Sequence, residues 1–68
     1  MTPEKMTHLA NQIALFFQPY SHEEAVAGVT SHLKLYWEPR MLRQIKEYVA
    51  AGGPGLHALV VEAVKGMP

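Results

Sequence analysis

The 68-residue chain has no cysteine. Disulfides, cysteine-ligated zinc and iron–sulfur clusters therefore lie outside its own chemistry. It has no surplus of charge either: six basic residues balance six acidic ones, with four histidines besides. Nucleic acids and anionic membrane surfaces are held mainly by clustered lysine and arginine, so the balance argues against both. No apolar run approaches the roughly 20 residues of a membrane-spanning helix. The first residues include Glu4 and Lys5 and lack the apolar core of a secretory signal, so the cytoplasm is the expected location. Strand-type alternation, internal repeats and low-complexity runs are missing as well.

What is present is helical periodicity in four blocks. Thr2-Pro3-Glu4 has the order of an N-cap, a first-turn proline and an acid at the positive helix end. Met6, Leu9, Ala10, Ile13, Ala14 and Phe17 follow at spacings of three and four, with Phe16 at the edge of that stripe. Pro19 ends the block. Ser21 and Glu24 form a capping box, and Ala25, Val26, Val29, Leu33 and Trp37 give the second apolar face. Gly28 sits inside this helix at a cost of about 1 kcal/mol relative to alanine. Two readings of it stand: a slot for close helix approach, with Ala25 and His32 beside it, or a merely tolerated glycine.

Leu35-Tyr36-Trp37-Glu38-Pro39-Arg40-Met41 reads as the stretch that organises the chain. It holds the only tryptophan, an aromatic pair with the look of buried residues, and a proline suited to begin a third helix. Met41, Leu42, Ile45, Tyr48 and Val49 form that helix's inward stripe; Arg40, Arg43, Lys46 and Glu47 form the outward one. Ala51-Gly52-Gly53-Pro54-Gly55 terminates it. Leu56, Leu59, Val60, Ala63, Val64 and Met67 describe a short fourth helix, with Val61 off its stripe and expected at the surface. The sequence thus predicts one all-α domain over residues 1–68, a bundle of four short helices. A three-helix core with a loosely docked last helix is the variant, and short connections imply that sequential helices pack together.

Chemistry is sparse. His8, His22, His32 and His57 include no pair at the i, i+4 spacing of helical metal ligands, which favours surface or capping roles. Glu23 and Glu24 are adjacent, so they diverge on a helix and read as first-turn acids rather than a catalytic pair. The glycine-rich turn lacks the Lys-Ser/Thr of a phosphate loop. Helices two and three also have the order of a helix-turn-helix, with Arg40, Arg43 and Lys46 toward DNA. That stripe is short and the chain has zero net charge, which favours ordinary solvated helix charge. No catalytic, cofactor-binding or metal-binding residue is assigned. Phe16, Leu35, Tyr36 and Val61 exceed what so small an interior accommodates, and they are the expected partner-binding surface.

Along nearly the whole chain, from Met6 to Val64, the order of residues resembles one known family. The matching segments are Asn11-Gln12-Ile13-Ala14 with Phe16-Phe17, then Glu24-Ala25-Val26-Ala27-Gly28-Val29 and His32-Leu33. They continue with Trp37-Glu38-Pro39-Arg40-Met41, Gly52-Gly53, Gly55-Leu56 and Leu59-Val60. The resemblance is to the delta subunit of the bacterial NAD-dependent, molybdenum-containing formate dehydrogenases. Tyr36 stands where that family often has phenylalanine, and Leu42 where it often has a basic residue; both leave the helical frame intact.

The resemblance implies a non-catalytic accessory subunit of a cytoplasmic complex that oxidises formate to carbon dioxide. In such complexes the alpha subunit carries molybdenum bis-guanine-dinucleotide and iron–sulfur clusters. The beta and gamma subunits carry FMN, further clusters and the NAD site. The implied roles of the delta chain are assembly, cofactor insertion or stability, with alpha as the expected partner and beta and gamma as further ones. Within this reading Tyr36, Trp37, Pro39 and Arg40 form a docking corner, with Trp37 anchoring it from inside and Arg40 offered to a carboxylate of the large subunit. For Trp37 a purely core role, and for Arg40 a capping role, are the competing readings. A self-associating helical module and a helix-turn-helix regulator are the rival functions.

Overall fold

The helices begin and end where local chemistry dictates. In a computed structural model that describes residues 1–68, α1 spans Pro3–Phe17, α2 His22–Tyr36, α3 Pro39–Ala50 and α4 Ala58–Lys65. Thr2 Oγ1 accepts the Lys5 N–H at 3.2 Å, and Pro3 occupies the first turn, where its missing N–H costs nothing. Ser21 Oγ accepts the Glu24 N–H at 3.3 Å and donates to Glu24 Oε1 at 2.8 Å. Glu38 takes the N-cap position of α3 with extended backbone, but its side chain makes no capping bond. Pro39 alone therefore sets that start.

The third helix closes through its glycines. Gly52, Gly53 and Gly55 all have positive φ, a region where a Cβ is costly. This lets the Gly53 N–H turn back to the Tyr48 carbonyl at 2.9 Å. Tyr48 Oη donates to the Pro54 carbonyl at 2.6 Å and ties the turn to the helix it ends. α4 starts two residues later than the apolar pattern suggests. His57, not Leu56, stands at its edge: the His57 Nδ1 accepts the Leu59 N–H at 3.0 Å and caps the helix. Leu56 precedes the helix, and Met67 lies beyond its end.

The core bears out the expected bundle of four helices and overturns its three-helix variant. Four of the eight residues of α4, Leu59, Val60, Ala63 and Val64, are buried, and α4 packs against α2, α3 and α1. It is the hub of the bundle, not a loosely docked appendage. Met6, Ala10 and Ala14 from α1, Ala25, Val29 and Leu33 from α2, and Ile45 and Val49 from α3 join its buried residues in one core cluster. Ala10, Ala14, Ala25 and Ala63 are almost wholly buried, and such small side chains at a contact permit close helix approach. Helices adjacent in sequence do not all pair, since α2 and α3 hardly touch. The Trp37 turn carries the chain away from α2, and α4 fills the space between them. A helix-turn-helix requires its two helices to pack on one another, and these do not.

The turn at 35–41 is also divided. Trp37 is 8% exposed and belongs to the core, whereas Tyr36 is 71% exposed, so the two aromatics are not a buried pair. Val61, expected at the surface, is half-buried against the core.

Candidate partner-binding surface

A glycine sets the geometry of the most apolar exposed face. A Cβ placed on Gly28 would lie 2.5 Å from the Phe17 ring, so the ring occupies the slot that the missing side chain leaves. Of the two readings of Gly28, close approach is the one the packing uses. Phe17, held there, packs edge-on against Phe16 with ring centroids 5.0 Å apart and lies 5.9 Å from Tyr20. On α2, His32 and Tyr36 are one helical turn apart, and their rings meet at 4.7 Å. Ile13, Phe16 and Phe17 from α1 and His32 and Tyr36 from α2 then line an open groove of about 270 Å³.

Large apolar side chains of α1 and α2 stand in water at a cost. Phe16 is 68% exposed and Leu35, adjacent to Tyr36, is 76% exposed. Full burial of one such side chain is worth roughly 1.5–3 kcal/mol, a gain that only a partner can supply here. Leu15 and Tyr20 are each about half exposed as well.

The structure thus brings together two of the expected partner-binding residues, Phe16 and Tyr36, which lie on different helices. Pro39 and Arg40 are exposed in the first turn of α3, and Arg40 pairs with no acceptor within the chain. It caps no neighbouring helix. Trp37 presents almost no surface and belongs to the core, as its competing reading had it. Val61 lines a different groove, between α3 and α4. Sequence reasoning missed Ile13, Phe17, His32, Leu15 and Tyr20 as members or neighbours of an exposed face. The i, i+4 pair His32–Tyr36 was the available signal.

No group of three or more His, Asp or Glu side chains converges as a metal site. His22 Nε2 meets both Glu62 carboxylate oxygens at 2.9 Å, which joins α2 to α4 at the surface. His57 is committed to its cap. Asn11, a residue given no role by periodicity, bridges α1 to the loop before α4. Its Nδ2 donates to the Gly55 carbonyl at 2.9 Å, and its Oδ1 accepts the His57 N–H at 2.8 Å.

These features describe a small all-helical protein with an exposed aromatic groove between α1 and α2. No helix is long and apolar enough to cross a membrane. Comparison with family models then identifies which one: residues 5–64 match the NADH-dependent formate dehydrogenase delta subunit family, FdsD, and the chain belongs to it. Comparisons with curated proteins and with solved structures found no match.

Proposed function

We propose that this chain is a non-catalytic delta subunit of a cytoplasmic NAD-dependent formate dehydrogenase, and that it supports assembly, cofactor insertion or stability of that enzyme. Family membership supplies the enzyme. The exposed groove of Phe16 and Tyr36 carries the reading of the chain as a docking piece. On this reading the alpha subunit is the main partner, with beta and gamma as further contacts. Molybdenum bis-guanine-dinucleotide, iron–sulfur clusters, FMN and NAD are held by those other chains. Arg40, free of internal partners, meets a carboxylate at the edge of the same contact.

The test is co-expression with the alpha subunit. Phe16→Asp and Tyr36→Asp each place a charge where apolar contact is needed, and they should reduce co-purification at least about tenfold, a loss of roughly 1.4 kcal/mol. Arg40→Ala should weaken recovery less, as an exposed pair contributes under about 1 kcal/mol. Deletion of the delta chain should lower the molybdenum content or stability of the complex. Full recovery with both aspartate variants, their helical content intact, refutes docking through this face.

A further inference from the structure

The hub helix is capped by an imidazole, where serine, threonine, aspartate and asparagine are the usual choice. The His57 Nδ1 accepts the Leu59 N–H at 3.0 Å, and that bond needs a lone pair on Nδ1. It therefore holds His57 as the neutral tautomer, with its proton on Nε2. The residue is pinned from α1 as well, through its N–H on Asn11 Oδ1 at 2.8 Å. Its carbonyl accepts the Val60 N–H at 2.9 Å and the Val61 N–H at 3.1 Å. The first turn of α4 thus hangs on one titratable residue.

A proton on Nδ1 opposes this arrangement in two ways. Nδ1 becomes a donor facing another donor, the Leu59 N–H. The imidazolium also sets a positive charge at the positive end of the α4 dipole. No free anion stands by to compensate. In the cleft around the ring, α1 and the turn after it present Gln18 and Tyr20, and α2 presents His22. Asn11, the other α1 residue in contact, does not titrate. The acid of α4, Glu62, is already held by His22, whose Nε2 lies 2.9 Å from both carboxylate oxygens. That contact responds in the opposite sense, since protonation of His22 makes it a full ion pair. Both its side chains are more than half exposed, so water screens the gain, whereas the His57 cap is partly buried.

We infer that His57 is a proton-sensitive latch on the hub helix. Neutral, it caps α4; charged, it lets the first turn fray and leaves α4 tied to α2 through His22 and Glu62. The cap is complete at the alkaline end and is lost as pH falls across the range of about 8 to 5 in which histidine changes charge. This device lies at the start of α4 and does not rest on docking through Phe16 and Tyr36.

The full-length chain, labelled with ¹⁵N, is followed by NMR at about pH 7.5 and about pH 5. The ring nitrogen shifts of His57 should show the Nε2–H tautomer at the higher pH. Protection of the Leu59 amide against hydrogen exchange, corrected for the intrinsic rate, should fall about fivefold at the lower pH, the usual effect of losing a side-chain cap. His57→Asn keeps a cap that does not titrate, so the fall should vanish, while His22→Gln should retain it. An Nδ1–H tautomer at the higher pH, protection of Leu59 that does not fall, or the same fall in His57→Asn each overturns the inference. A fall that is lost in His22→Gln and kept in His57→Asn overturns it in favour of the pair with Glu62.

Discussion

Replacing Asn11 tests whether the fold depends on a single amide that holds its hub helix. In Asn11→Ala, the His57 N–H and the Gly55 carbonyl lose partners at 2.8 and 2.9 Å. The Gly55 carbonyl belongs to an exposed residue and regains water, so that loss is near the low end of about 0.5–1.5 kcal/mol for a neutral hydrogen bond. The His57 N–H is partly buried, which moves its loss toward the roughly 1–3 kcal/mol of a stranded group. The sum is about 2 kcal/mol. A domain of this length has on the order of 3–10 kcal/mol in total, so the variant should melt roughly 8–16 °C lower. Asn11→Asp separates the two bonds: it keeps the acceptor for His57 but turns an oxygen toward the Gly55 carbonyl, so it should not restore stability. Thermal and urea unfolding followed by circular dichroism measure the loss. Hydrogen exchange at Leu59 and Val60 should accelerate, because the His57 cap is no longer held against α1. A stability within about 0.5 kcal/mol of the parent, with exchange unchanged, refutes this account of Asn11.

Gly28→Ala gains about 1 kcal/mol of helix propensity but drives a methyl into the Phe17 ring. Overpacking of about 1–3 kcal/mol should win, and a double-mutant cycle with Phe17→Ala should show strong coupling by urea unfolding. Thr7 Oγ1 is buried without a hydrogen-bond partner, so Thr7→Val should be neutral or stabilise by up to about 1 kcal/mol in the same assay. Val60→Ala, at a fully buried position of the hub, should cost at least about 1 kcal/mol more than Val61→Ala beside it, as judged from denaturant midpoints. Glu62→Gln should change stability by less than about 1 kcal/mol, because both members of its pair with His22 are more than half exposed.

The number of helices and most of their ends were legible in residue order, because they depend on residues three or four positions apart. Pro3, Ser21, Pro39 and the glycines after Ala51 act on their own turn of backbone, and the structure keeps each where the pattern put it. Which helix became the centre was decided by the tertiary structure alone. α4 is the shortest element, and periodicity assigned it one stripe. Only when the other three helices close around it does the width of its buried arc count, from Leu59 to Val64. The aromatic groove and the Asn11 bridge belong to the same category. Phe16 and Tyr36 meet across two helices, and Asn11 reaches residues 44 and 46 positions away. No local pattern encodes such contacts, since chain folding, not sequence spacing, sets the distance between their partners.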